Sequence, residues 1–334
     1  MVSGFYTTRF MKHRKLGQSD LYVSPIGLGC WQFSEGKSIT GSFWPRLDEN
    51  TTLAIIQASL EGGINWFDTA EAYGWGKSEA GLVKALKMLN KQKGEIVIAT
   101  KWFPIFRTAN SIYKTVNTRL KYLDGFPIDL YQIHAPYGSF SSREKQLWAM
   151  KEVVKAGKAK YLGVSNFSAK QMREAYEQLR RTPAPLISNQ VKYNLLHRRI
   201  ENNGVLETAK ELGISIIAYS PLEQGLLSGK YHDNPDLIQS SPGPRKRLRR
   251  FSRKGLAESA PVIHELRIIA DKYKVTMAQV ALRWVIQFHG ECIVAIPGAT
   301  KVRQAKENAA VMNFELTQEE LDLLDMVSKP FIKP

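Results

Sequence analysis

A barrel of eight parallel strands with a helix after each, the (β/α)8 or TIM barrel, is the fold that the sequence predicts. Three observations predict it. Short apolar runs alternate with longer amphipathic stretches through the middle of the chain, as βαβ units do. Eight such runs can be found, whereas an open doubly wound sheet usually stops at about five to seven. The polar residues at the ends of six consecutive runs, Asp68, Lys101, His134, Ser165, Gln190 and Tyr219, fall 25 to 33 residues apart, which is room for one loop, one helix and one strand each.

In chain order the expected strands are Ile26 to Cys30, Ile64 to Phe67, Ile96 to Thr100, Ile128 to Ile133, Tyr161 to Val164, Leu186 to Asn189, Ile214 to Ala218 and Cys292 to Ala295. Between them, apolar residues recur at helical spacing. The helices read this way are Glu49 to Leu60, Glu79 to Leu89, Ser111 to Leu123, Arg143 to Lys155, Ala169 to Leu179, Glu201 to Leu212 and Lys301 to Ala310. From Tyr219 to Ile296 the step is 77 residues, so the seventh unit carries an insertion. Gln224 to Ser259 fills it with turn residues (Pro235, Pro242, Gly243, Pro244) and a basic run.

A bare barrel needs about 250 residues. The surplus in this chain of 334 is assigned to that loop, to an N-terminal β-hairpin over Lys15 to Ser24 and to a C-terminal helix around Gln318 to Val327. With no interior linker or composition shift, residues 11–334 read as one domain, preceded by a flexible extension over residues 1–10.

Composition narrows the function classes. Hydrophobic residues make up 43% of the chain, which argues against disorder. Forty-seven basic against 31 acidic side chains give a net charge of +16 and favour anionic partners, polymeric or small. Cys30 and Cys292 lack metal-ligand spacing and read as free thiols of a reducing compartment. No apolar run approaches the roughly 18 residues of a membrane span, and the first residues lack the apolar core of a secretory signal. A cytoplasmic protein without a membrane partner is expected.

All carboxyl ends of the strands in a parallel barrel open on one face, where catalysis sits. An Asp, a Lys and a His emerge there from three successive strands, and Tyr73 follows Asp68 by five residues. One polar residue at a strand end is ordinarily a helix cap or a solvated side chain; this combination is a chemical set. A Lys ammonium beside a phenol favours the phenolate and is expected to lower its pKa from about 10. Asp68 can fix Lys101 by an ion pair, and His134 can orient a substrate oxygen. Such a phenol gives a proton to an oxygen gaining negative charge, and another agent must then deliver the electrons.

From about Lys15 to Val327 the chain resembles the aldo-keto reductase superfamily. Seven segments in order carry the match: NWFDTAEAYG (65–74), IATK (98–101), YQIHAP (131–136), GVSNF (163–167), NQVKYN (189–194), AYSPL (218–222) and IPGAT (296–300). The resemblance implies a (β/α)8 enzyme that reduces aldehydes and ketones with NADPH, its catalytic tetrad being Asp68, Tyr73, Lys101 and His134. Tyr73 would then be the acid in reduction and the base in alcohol oxidation. By the same resemblance Tyr219 meets the nicotinamide face, and Ser165, Asn166 and Gln190 hold its carboxamide. Ser220, Pro221, Leu222, Gly225 and Lys230 run beside the pyrophosphate. Gly298, Thr300, Gln304, Glu307 and Asn308 flank the adenosine end, at a helix start that favours anions.

The chain departs from that pattern at one position. Well-known NADPH-preferring members carry an arginine where this chain has Gln304, which leaves Lys301 and Arg303 to neutralise a 2′-phosphate; NADPH is still preferred over NADH. Trp31, Trp44, Trp102 and Tyr137 follow predicted strands and are read as an apolar, aromatic-tolerant pocket for a small carbonyl substrate. The run 245–254 holds seven positive charges and no negative one. A flap over the pyrophosphate and a solvated loop are the two readings of it, with nucleic-acid binding disfavoured. A regulatory subunit resembling the ion-channel-associated members of the superfamily is the alternative function.

Overall fold

Runs of Val, Ile, Leu and Ala bounded by loops form strands that are buried on both faces, as a parallel sheet covered by helices requires. The computed structural model describes residues 12–35, 45–241 and 246–333. The expected extension over residues 1–10, as well as Trp44 and Arg245, lies outside them. Strands β1 (Arg14–Lys15) and β2 (Tyr22–Val23) form the expected antiparallel hairpin. The barrel strands are β3 (Leu28–Gly29), β4 (Trp66–Asp68), β5 (Val97–Trp102), β6 (Leu130–Ile133), β7 (Tyr161–Ser165), β8 (Leu186–Lys192), β9 (Ser215–Tyr219) and β10 (Ile293–Ala295). Each pairs in parallel with its neighbour in sequence. Bridges from Ile26 to Ala295 and from Gly29 to Gly298 join the first barrel strand to the last, and the Gly27 N–H donates to the Ala295 carbonyl at 2.8 Å. The sheet closes.

Helices α1 (Glu49–Glu61), α2 (Lys77–Met88), α3 (Asn110–Tyr122), α4 (Arg143–Lys155), α5 (Ala169–Leu179) and α6 (Val205–Leu212) follow the first six barrel strands. The remaining helices are α7 (Lys230–Asp233), α8 (Arg253–Tyr273), α9 (Met277–Gln287), α10 (Val302–Ala310) and α11 (Gln318–Ser328). Side-chain caps set several starts: Ser142 accepts from the Lys145 N–H, and Ser168 and Thr317 form capping boxes. The helix expected from Glu201 begins only at Val205, because Gly204 takes a left-handed backbone (φ 79°) ahead of it. The insertion is also shorter than expected. Ser252 accepts from the Gly255 N–H and starts α8, so a helix runs where loop was read up to Ser259.

Side chains on a strand alternate between faces. Inside the barrel, Trp66, Ala99, Leu130, Ile187, Ile217 and Val294 form an apolar layer, which Leu16, Leu21 and Val23 of the hairpin close from below. One step up, the same alternation brings Asp68, Lys101 and Gln132 into the interior, and a register shift of β8 opposite Leu162 and Gly163 brings Gln190 there too, all buried. A larger apolar shell lies between strands and helices. No helix among the described residues is long and apolar enough to cross a membrane.

Candidate active site

Three consecutive strands and the loop after β4 deliver the expected tetrad to one point. Lys101 Nζ lies 2.5 Å from Asp68 Oδ1 and 2.9 Å from the Thr69 carbonyl oxygen, and it donates to Tyr73 Oη at 3.4 Å. The imidazole of His134 meets the Tyr73 ring edge-on with centroids 5.8 Å apart, and Trp31 stacks on that ring at 6.2 Å. Asp68 and Lys101 are sealed from solvent.

Burial dominates the electrostatics here. Burial alone would pull the Lys101 ammonium down, but Asp68 and Tyr73 hold it above its ordinary value, so it stays charged. The expected lowering of Tyr73 is not realised. Burial raises its phenol, and the Lys101 charge opposes that rise without reversing it, so Tyr73 remains protonated at neutral pH. His134 is pushed down to about 3, by burial first and then by Lys101, and is therefore a neutral imidazole.

Above this point opens a cavity of about 780 Å³ that runs from Asp68, Tyr73 and His134 to Gly298, Thr300 and Gln304. Ser165, Asn166, Gln190, Tyr219, Ser220, Pro221, Leu222, Gly225 and Lys230 line it, with Trp31 and Tyr137. Tyr219 Oη donates to Asn166 Oδ1 at 3.1 Å, Asn166 Nδ2 donates to Ser165 Oγ at 3.0 Å, and Ser165 Oγ donates to the Gln190 carbonyl at 2.9 Å. Three predicted residues stand back from the wall, at the first turns of α10: Arg303 pairs with Glu307 at 2.6 Å, and Asn308 Nδ2 donates to the Gly298 carbonyl at 3.4 Å. Lys301 is exposed just before that helix. Gln304 Oε1 accepts from the Thr300 and Lys301 N–H groups at 2.8 and 3.2 Å, so Gln304 caps the helix.

Trp102 is a correction. It belongs to β5, one residue beyond the inward-pointing Lys101, and alternation turns its ring outward. There it is fully buried, and Nε1 donates to Ser111 Oγ of α3 at 3.0 Å. The cavity is instead walled, among others, by Phe103 and Ile105, with Trp31 and Tyr137. Sequence reasoning also passed over Gln132, Gln32 and the Tyr231–Ser241 segment of the insertion. Gln132 was in reach, since it stands two residues before His134 and so shares its face.

These residues fit a dinucleotide. At Gly298 an added Cβ would fall 2.0 Å from Gln32 Nε2, so the Gln32 amide packs directly on that glycine. Gln32 and Gln224 both line the cavity, and each carries a buried amide oxygen without a hydrogen-bond partner. Asn166, Ser220 and Gln224 take left-handed backbones (φ 59°, 49° and 58°), strain of the kind that concentrates at ligand clamps.

The model of the aldo/keto reductase family matches residues 25–329. A probable aldo-keto reductase 1 from Glycine max is 32% identical over 316 residues, covering 92% of this chain and 86% of that protein. In structure, the chain is similar to a glycerol dehydrogenase from Gluconobacter oxydans (TM-score 0.82, 27% identity, 97% of this chain and 98% of that one). It is also similar to an aldo/keto reductase from Klebsiella pneumoniae in complex with NADP and acetate (TM-score 0.70, 26% identity, 97% and 96%). With the barrel, the four side chains gathered at its mouth and these likenesses in agreement, the chain belongs to the aldo/keto reductase family of oxidoreductases.

Proposed function

We propose that this protein reduces aldehydes and ketones to alcohols with NADPH, Tyr73 giving the proton. The observation that carries the reading is the Tyr73 hydroxyl, on the cavity wall and 3.4 Å from a buried, charged Lys101. The cofactor held by these residues would, when bound and reduced, supply the hydride for the carbonyl carbon. The negative charge that gathers on the carbonyl oxygen is met by the Tyr73 proton, and the phenolate left behind is stabilised by Lys101 until it is reprotonated from water. Neutral His134 donates a hydrogen bond to the same oxygen and orients it. Ser165, Asn166 and Gln190 would hold the carboxamide and Tyr219 the ring face. Ser220 to Leu222, Gly225 and Lys230 would follow the pyrophosphate, and Gly298, Thr300 and Gln304 the adenosine.

Lys301 and Arg303, both basic and at the start of α10, support NADPH over NADH. Trp31, Phe103, Ile105 and Tyr137 support a small apolar or aromatic carbonyl substrate. The test is a fluorescence titration with both cofactors, followed by an aldehyde and ketone panel on wild type and Tyr73→Phe. The variant is expected to bind NADPH as wild type does while turnover falls at least about a hundredfold. Near-normal turnover would remove Tyr73 from the reaction.

A further inference from the structure

Gln132 sits in the barrel interior directly beneath the tetrad. It is completely buried and does not line the cavity. Its Nε2 donates to Asp68 Oδ2 at 3.1 Å. Gln190 Nε2 donates to the same oxygen at 2.8 Å and lies 3.3 Å from Gln132 Oε1. The two carboxylate oxygens of Asp68 are therefore divided: Oδ1 faces the ammonium of Lys101, and Oδ2 is held by two amides. The sequence makes space for this on the neighbouring strand. Gly163 of β7 faces Gln132, and a Cβ there would come 2.9 Å from Gln132 Cγ and 2.4 Å from Ser188 Oγ. An amide placed in a barrel interior at the expense of a neighbour's side chain, and bonded to a catalytic carboxylate, serves that carboxylate.

We propose that Gln132 is a positioning residue for the proton donor, acting on Tyr73 through Asp68 and Lys101. The inference rests on Tyr73 being that donor. Each N–H on Oδ2 draws carboxylate charge away from Oδ1. With one withdrawn, more of that charge falls on Lys101, whose ammonium then supports a Tyr73 phenolate less. Lys101, Asp68, His134, Cys30 and Tyr219 are the titratable groups facing Tyr73. Of these, His134 titrates far below neutrality, Cys30 is held well above its ordinary range by burial, and Tyr219 is pushed up to about 12. An alkaline limb, above the ordinary phenol value, thus reports Tyr73 with its Lys101 and Asp68 partners.

The experiment is the pH profile of alcohol oxidation with NADP⁺, in which Tyr73 must be a phenolate. Gln132→Met, similar in length but without donors, is expected to move the rising limb up by about one pH unit. Its affinity for NADPH should stay within about twofold of wild type, because Gln132 does not border the cavity. Should the Met variant not fold, Gln132→Asn keeps an amide too short to reach Asp68 and is expected to move the limb the same way. A wild-type limb in a folded variant overturns the proposal, even if kcat has dropped, since a merely structural role lowers rate without moving the limb. Tyr73→Phe, run alongside, separates the two levels. If it still turns over, the proton-donor reading fails and this inference with it; if it is dead and the Gln132 limb has not moved, only the role of Gln132 is lost.

Discussion

Lys101 and Asp68 form an ion pair 2.5 Å long with neither side chain reaching solvent. A pair of this kind resists having only one partner removed, because the other is left as an uncompensated buried charge, at about 3–5 kcal/mol. Lys101→Met is therefore expected to lose both turnover and stability. Tyr73→Phe should lose turnover alone, since a hydroxyl 3.4 Å from its donor contributes at most about 1 kcal/mol. Melting curves and turnover of both variants check this, and a Lys101→Met protein that melts with wild type would contradict the buried-pair argument.

His134 gives a prediction with a definite sign. Burial, then Lys101, places it at about 3 in the fold, against 6.5 ordinarily. As pH falls from about 6.5 toward 3, the unfolded chain takes up this proton and the native protein does not, so stability declines over that window. His134→Gln, which keeps a donor, should flatten that part of the decline and retain more activity than His134→Ala. Denaturant midpoints measured between pH 4 and 7 (about 2.5 units of the window) read it directly. An equal slope in His134→Gln and wild type would show that the imidazole is not held neutral.

Glu79 runs the other way. It is wholly buried between α2 and the barrel, accepts from Thr100 Oγ1 at 2.6 Å and lies 2.8 Å from Arg119 NH1. Burial raises its carboxyl to about 7, and Arg119 offsets this only in part. Its folded value stands above the ordinary 4.5, so its contribution is complete below about 4.5 and is lost as pH climbs toward 7. Glu79→Gln should be relatively more stable at pH 8 than at pH 5 when each is compared with wild type, by about 1–3 kcal/mol. Chemical denaturation at the two pH values decides it, and a pH-independent difference would mean that Arg119 keeps Glu79 charged throughout.

How much of this was legible in the sequence follows from which signals are local. The limits of α4 and α5 agree residue for residue with the expectation, because Ser142 and Ser168 mark the starts and apolar periodicity marks the rest. The tetrad was legible because a parallel barrel sends every strand end to one face. Trp102 was misplaced because position along a strand does not give its parity; only Lys101 pointing inward fixes that. Gln132 was overlooked for the converse reason, since it lies below the strand end, where an apolar layer is the default. Helices α8 and α9 were hidden by the turn residues before them and by Pro261 inside α8. The direction of the Tyr73 shift needed the depth of burial, which no spacing supplies.

The basic segment after β9 offers the last test. Two of its charges are paired within the chain: Arg249 meets Glu258 at the surface at 2.8 Å, and Arg250 pairs with the buried Glu223, which Lys192 and Asn194 also hold at 2.8 Å. Phe251 packs edge-on against Tyr231 at 5.3 Å, and Tyr231 borders the cavity together with Ser241, its hydroxyl partner at 3.2 Å. The segment is thus anchored to the wall of the proposed cofactor site, which favours a flap over a freely solvated loop. Arg250→Ala removes the anchor while Glu223 keeps Lys192, so the flap loosens and the fold survives. NADPH is then expected to dissociate about tenfold faster, with little change in its association rate. Neutralising the exposed Lys246 and Arg247 should do the reverse, slowing association and weakening its salt dependence. Stopped-flow traces at two ionic strengths separate the two effects, and an unchanged dissociation rate in Arg250→Ala would mean that the segment does not cover the cofactor.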